Sequence, residues 1–152
     1  MLLDTKIFND VLTEIKKSGY ILLINPKRPD GDSLGSALAL AHHFDQRDKN
    51  HGVFCIDPPP TAFYYLPAIE KFESDVSKFD FKKVDTAIVF DCGDLELTGI
   101  DSYLKATEHQ PLTIINIDHH HTNDHFGHIN LVDVDAASTT EIVYNIINEL
   151  GG

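Results

Sequence analysis

The chain has 152 residues, of which 42% are apolar and 24% charged, and its formal net charge is −12. This size and composition are those of one soluble globular domain, and they argue against a disordered chain. No stretch approaches the roughly 18 consecutive apolar residues of a membrane span. The acidic net charge argues against binding of duplex nucleic acid, which requires a basic surface.

The compartment is predicted from the first residues and from the cysteines. The opening six residues lack the basic and apolar segments of a secretory signal, so we expect a cytoplasmic protein. Cys55 and Cys92 are too few for a disulfide framework and are predicted to be reduced thiols. Cys92 stands beside Asp91 and is weighed as a soft metal ligand, but a structural thiol is the favoured interpretation.

The first half of the chain alternates between helix and strand. Apolar residues at helical spacing predict an amphipathic helix at 4–17, followed by a buried strand at 20–25. A loop at 26–36 is expected to lead into a second helix. A second strand at 53–56 ends at three prolines, which cannot donate ladder hydrogen bonds.

The second half continues this alternation. Short helices are expected around Tyr64 and Val76, and another at 101–107. Ser138–Glu141 has the sequence of a capping box and predicts the start of a final helix. Three further apolar runs predict strands, at 86–91, 112–118 and 129–132.

This order of elements predicts an α/β fold. The runs at 20–25, 86–91 and 112–118 are too continuously apolar for a sheet with one wet face. We therefore expect a three-layer sandwich with a mainly parallel sheet of about five strands, covered by helices on both faces. The whole chain, 1–152, is expected to form one domain.

Polar side chains at the strand ends predict a metal site. Asp30, Asp91 and Asp118 each follow a predicted strand, and the last opens a run of three histidines. The carboxyl ends of parallel strands meet at one edge of a sheet, where ligands bind. Asp32 is separated from Asp30 by a glycine, so both carboxylates can turn toward one point. With the imidazole of His119, these oxygen ligands suit Mn, with Mg as the other choice.

Phosphate is the ligand that this arrangement favours. Gly35 and Ser36 are placed in the first turn of the second helix, whose free N–H groups attract anions, and they are the predicted substrate contacts. Lys27 and Arg28 either touch phosphate or are solvated loop charges. Two metal ions would activate a water and stabilise the departing oxygen of a phosphodiester.

Structural interpretations compete with each of these roles. A single aspartate after a strand is more often a cap or turn residue. Three of them together with a histidine run favour a functional site. Five further histidines are not expected to bind metal, whether in the second helix or in loops: His42, His43, His121, His125 and His128.

Segments 29–40, 90–91 and 118–120 resemble the first three motifs of the DHH phosphoesterases. The resemblance implies a Rossmann-like DHH domain and a hydrolase that typically uses two Mn ions. The family includes RecJ-like exonucleases, cyclic dinucleotide phosphodiesterases, inorganic pyrophosphatases, and oligoribonucleases that also dephosphorylate adenosine 3′,5′-bisphosphate. Segment 136–143 is similar to the oligoribonuclease branch.

The same resemblance implies a role for each matching residue. Asp30 would bind one ion and Asp32 the other, while Asp91 would bridge the two. His119 would ligate the second ion, and His120 would contact the substrate phosphate or support the metal ligands. Asp91, His119 and His120 are therefore the predicted catalytic residues.

Two features depart from the family pattern. Pro26 stands where the family usually has a metal-binding histidine. The family's fourth motif and its C-terminal substrate-binding domain are expected beyond Gly152. We therefore expect an N-terminal piece or a shortened relative, with an incomplete or impaired site.

Three other functions are weighed against a phosphoesterase of small nucleotides or short oligonucleotides. A sensor would bind a metal or nucleotide without cleaving it, and Pro26 favours that alternative. A haloacid-dehalogenase-like phosphatase would use Asp30 as its nucleophile, but it leaves the histidine run unexplained. A Walker-type enzyme is excluded because the loop after the first strand lacks that motif. A homodimer is compatible with the sequence.

Overall fold

The computed structural model describes residues 4–106 and 111–151. Thr107, the predicted last residue of a short helix, and Gly152 lie outside these ranges. The helices and strands of the described ranges are, in chain order, α1 Thr5–Lys17, β1 Ile21–Asn25, α2 Gly31–Asp45, β2 His51–Cys55, β3 Phe72–Glu73, β4 Thr86–Phe90, α3 Asp101–Lys105, β5 Thr113–Asp118, β6 Ile129–Val132 and α4 Thr139–Glu149.

The strands form one parallel sheet in the order β3-β2-β1-β4-β5-β6. This confirms the predicted α/β sandwich. The sheet has six strands where about five were expected, because the two residues of β3 pair with Val53 and Phe54 of β2. The order reverses beside β1, which lies between β2 and β4, and such a switch point opens a crevice at the carboxyl ends of the strands.

Helices cover both faces of the sheet, as the continuous apolar strands predict. Successive residues of β4 alternate between the two cores, with Ile88 packed on one face and Val89 on the other. The first core takes α1, α2 and α4, and the second takes α3 and the segments before β4. None of the described helices is long and apolar enough to cross a membrane.

Helix α2 begins earlier than predicted. Asp30 is its N-cap, and Oδ1 of this residue accepts hydrogen bonds from the N–H groups of Asp32, at 3.1 Å, and Ser33, at 3.0 Å. The helix therefore starts at Gly31, and the prediction of a loop through residue 36 is wrong. Gly35 and Ser36 consequently lie in the second turn, where the helix already uses their N–H groups.

The shorter elements agree with the sequence in position. Single turns of 3-10 helix at Thr61–Phe63 and Val76–Lys78 lie where short helices were expected. At the start of α4, Ser138 Oγ accepts from the Glu141 N–H at 3.1 Å, as predicted. The Glu141 carboxylate accepts from the Ala137 N–H at 2.8 Å, so the reciprocal half of the capping box involves a different residue.

Candidate functional site

Five of the predicted site residues meet at the carboxyl edge of the sheet. Asp30 and Asp32 stand at the start of α2, Asp91 directly follows β4, and His119 and His120 directly follow β5. A cleft of about 330 Å³ opens here, with Asp30, Asp91 and His120 among its lining residues. The parallel strands thus bring together side chains that are far apart in the sequence.

Asp91 lies at the centre of this arrangement. Its backbone is left-handed, with φ of 52°, a conformation that aspartate tolerates better than most residues. Its carboxylate Oδ1 accepts a hydrogen bond from Thr139 Oγ1 at 3.1 Å, and its side chain is only 6% exposed. Burial, together with the negative charges of Asp32 and Asp30, raises the pKa of Asp91 to about 6. A bound cation would relieve this unfavourable charge.

His119 points its outer ring nitrogen at two carboxylates. Its Nε2 lies 3.6 Å from Asp32 Oδ2 and 3.7 Å from Asp91 Oδ1. Its Nδ1 lies 3.3 Å from the carbonyl oxygen of Ala136, which can only accept, so Nδ1 carries the proton of this bond. In the neutral ring this tautomer presents an unprotonated Nε2, the form that binds a metal ion.

The carboxylate of Asp32 is held by the first residues of α4. The N–H groups of Thr139 and Thr140 donate to Oδ2 and Oδ1 respectively, each at 2.8 Å, and Thr140 Oγ1 adds a third bond to Oδ1. The positive end of a helix favours such an anion. Sequence reasoning identified the start of α4 but missed these contacts, because nothing in the capping motif identifies a partner 107 residues away.

Asp118 is fully buried and orients His120. Its Oδ1 accepts from His120 Nδ1 at 2.7 Å, and its Oδ2 accepts from Asn123 Nδ2 at 2.6 Å. The hydrogen bond to Asp118 raises the pKa of His120. The sequence marked Asp118 as a strand-end acid, but it gave no role to Asn123, whose side chain also donates to the Cys92 carbonyl.

The structure brings part of the predicted set of residues together. Ligand atoms of Asp91, His119 and His120 lie within 4.8 Å of one another. Asp32 adjoins them through His119, and Asp30 lines the same cleft while its Oδ1 caps α2.

Gly35 and Ser36 do not belong to this grouping. Ser36 is fully buried, and its Oγ lies 3.2 Å from Thr140 Oγ1. Thr140 Oγ1 also lies 3.7 Å from the Cβ position of Gly35. Both residues thus face α4. Their predicted placement in the first turn of the helix is wrong, and the structure does not bring them to the cleft.

The thiols and the other histidines have separate surroundings. Cys55 and Cys92 are free, as predicted, and burial raises their pKa values to about 11 and about 12. His128 Nδ1 accepts from the Ile114 N–H at 2.9 Å, and His43 is buried in α2. Within the described ranges, the group of potential metal ligands contains none of these residues.

Comparisons with known proteins are consistent with this architecture. Residues 20–151 match the N-terminal domain of the DHH family. The chain is 30% identical over 146 residues to the bifunctional oligoribonuclease and PAP phosphatase NrnA of Thermus thermophilus, covering 93% of this chain and 41% of that protein. The NrnA of Bacillus subtilis is 23% identical over 140 residues, with 92% and 42% covered.

A solved structure shares the fold. The crystal structure of an exopolyphosphatase-related protein from Bacteroides fragilis superposes with a TM-score of 0.87 at 23% identity. The match covers 99% of this chain and 45% of that one. The chain thus spans less than half the length of each of these three proteins.

Proposed function

The chain belongs to the DHH family, and from this premise we propose that it is a metal-dependent phosphoesterase of small nucleotides or short oligonucleotides. The observation that carries the proposal is the convergence of Asp32, Asp91 and His119 from three separate elements. The relatives named as oligoribonuclease and PAP phosphatase support this class of substrate. The net charge of −12 favours small ligands over duplex nucleic acid.

The donor types suit one divalent ion. Two carboxylates and one imidazole form the mixed oxygen and nitrogen set that suits Mn. His119 Nε2 would have to approach Asp32 and Asp91 from 3.6 and 3.7 Å to the roughly 3 Å that separates neighbouring ligands of an octahedral ion. A second ion would have Asp30 and Asp91, but Pro26 offers it no ligand. We propose one tightly held ion beside His119 and a weaker second one beside Asp30.

The protein's own groups would bind and orient the phosphate ester. When bound, divalent ions supply an activated water and neutralise charge on the departing oxygen. His120 lines the cleft, and because its Nδ1–H donates to Asp118, its Nε2 is the ring atom available to a phosphate oxygen. The raised pKa of His120 favours a protonated ring that can donate to that oxygen.

Hydrolysis assays with Mn would test this proposal. The substrates are a short oligoribonucleotide and adenosine 3′,5′-bisphosphate, and the variants are Asp91→Asn and Asp124→Asn. Asparagine preserves the shape of residue 91, and Asp124 is an exposed acid that does not line the cleft. We expect turnover in the wild type and in Asp124→Asn but not in Asp91→Asn. Equal turnover in all three proteins would contradict the assigned site.

A nucleotide or metal sensor is the second candidate function. Pro26 favours it, because a second ion at Asp30 and Asp91 would lack a nitrogen ligand. Calorimetric binding of Mn and adenosine 3′,5′-bisphosphate, with no turnover of either substrate, would identify a sensor. Turnover that is first order in enzyme would exclude it.

A further inference from the structure

The acidic cleft also contains two positive charges. Lys27 and Arg28 line the same cavity as Asp91 and His120. Neither side chain has an ion-pair or hydrogen-bond partner in the part of the chain that the structure describes. Other cations, such as Lys71 beside Asp45, are neutralised by a neighbouring acid. Two exposed cations that line the cleft are therefore available to an anionic ligand.

The backbone of this cation pair is fixed at both residues. The Lys27 N–H donates to the Leu97 carbonyl at 2.7 Å, and the Arg28 N–H donates to Asp57 Oδ2 at 2.7 Å. Arg28 has φ of 53°, a left-handed conformation that an arginine does not adopt without such support. Two separate segments of the chain thus hold the pair at the cleft.

Packing also constrains the stem of Lys27. Gly99 has φ of 71°, and its Cβ position lies 3.1 Å from Lys27 Cε and 2.6 Å from Ile56 Cδ1. A side chain at residue 99 would collide with Ile56 and crowd the end of the Lys27 stem. The end of the lysine stem therefore lies close to Gly99, and the exposure of Lys27 leaves its ammonium group open to an anionic ligand.

We propose that Lys27 and Arg28 bind a second phosphate of the substrate, the one that is not hydrolysed. This inference rests on the proposed function, in which the scissile phosphate lies beside Asp91, His119 and His120. The guanidinium group suits bidentate phosphate binding, and the ammonium group adds a point charge. The pair would thus select nucleotides that carry two phosphates over those that carry one.

Two nucleotides that share one scissile bond provide the test. Adenosine 3′,5′-bisphosphate and adenosine 3′-monophosphate have the same 3′ ester and differ only in the 5′ phosphate. We expect the wild type to favour the bisphosphate in kcat/KM by about tenfold to a hundredfold, the range for hydrogen bonds to a charged group. In the double variant Lys27→Gln/Arg28→Asn the ratio should fall to about one. Asparagine tolerates the left-handed backbone of residue 28.

The control removes two positive charges elsewhere. Lys82 and Lys83 are exposed and do not line the cleft, so Lys82→Gln/Lys83→Gln should keep the wild-type ratio. If the double variant unfolds in a thermal melt, the single variant Lys27→Gln takes its place, since Lys27 is exposed. A ratio that stays at the wild-type value in the folded variant would overturn the inference. A wild type without preference for the bisphosphate would overturn it too.

Calorimetric binding of the same two nucleotides separates this inference from the proposed function. A wild type that cleaves neither nucleotide would refute the phosphoesterase. If it nevertheless bound the bisphosphate more tightly, and the variant lost that preference, the cation pair would stand as a phosphate site. Equal binding of both nucleotides by the wild type would refute the proposed phosphate site at Lys27 and Arg28.

Discussion

Two buried acids at opposite ends of β4 have opposite electrostatic surroundings. Glu14 lies beside the first residue of the strand, where its Oε1 accepts from Thr86 Oγ1 at 3.1 Å. Asp91 follows the last residue, and its Oδ1 accepts from Thr139 Oγ1, also at 3.1 Å. Glu14 has Lys17 as a cation partner at 2.6 Å, whereas Asp91 has two negatively charged neighbours, Asp30 and Asp32.

The difference separates a structural acid from a functional one. The charge of Glu14 is balanced within the fold, so this residue needs no ligand. Burial and the like charges of Asp32 and Asp30 raise the pKa of Asp91 to about 6, which makes a cation favourable there. Burial and hydroxyl contact alone do not distinguish the two acids, but the sign of the neighbouring charges does.

The largest difference between Asp91 and Glu14 is expected in the affinity for Mn. We expect Asp91→Asn to weaken Mn binding by at least about 100-fold, since it removes a ligand shared by the proposed ion sites. Glu14→Gln should leave the Mn affinity of the folded protein unchanged. Isothermal titration with Mn measures both variants, and equal losses would show that the two acids do not differ in this way.

For conformational stability, we expect the larger loss from a substitution of Glu14. Glu14→Ala removes the acceptor of the buried Thr86 hydroxyl and the partner of Lys17, which should lower the free energy of unfolding by about 2 kcal/mol. Urea denaturation measures this loss. Glu70→Ala, at an exposed position, is the control and should cost less than about 0.5 kcal/mol. A similar loss of unfolding free energy at both positions would show that Glu14 has no particular structural role.

Without metal, Asp91→Asn should stabilise the protein. The pKa of Asp91 is raised from 3.8 to about 6, so the native state holds this proton more tightly than the unfolded chain does. Stability is therefore lost as the pH rises from about 4 to about 6, by up to about 3 kcal/mol.

Asparagine avoids that loss, so the gain should be full above pH 6 and absent below about pH 4. Thermal melts in chelator across this range provide the measurement. With saturating Mn the wild type should be more stable than Asp91→Asn, because the wild type binds Mn more tightly. If Asp91→Asn were less stable than the wild type at every pH in chelator, the raised pKa of Asp91 would be contradicted.

The smallest effect is expected for Lys17, the cation that balances Glu14. Lys17 is 64% exposed, so solvent weakens the pair, and Lys17→Ala should cost only about 0.5 kcal/mol. The cost should shrink further in high salt. Lys16→Ala is the matched control at the adjacent exposed position. A salt-independent loss would point to packing of the lysine stem instead.

Periodicity and strand-end acids predicted the parallel sheet and the meeting of Asp91 with His119, because parallel strands share one carboxyl edge. The role of His120 was implied by the resemblance to the DHH family. The two-residue strand β3 carries too little pattern to be recognised. The positions of Gly35 and Ser36 were missed because Asp30 caps α2 earlier than the glycine-containing loop suggested. The hydrogen bonds that tie Asp32 to α4 form only when the helix docks in the tertiary structure, which no local sequence pattern encodes.

That tie also has a consequence for the order of folding. Asp32 and its donors Thr139 and Thr140 are 107 and 108 positions apart, so closing this contact orders most of the chain. A collapsed intermediate in which α4 is undocked would hold Asp91 and His119 without a fixed Asp32. High-affinity capture of Mn in a refolding experiment would therefore lag behind strand formation and report the final docking step.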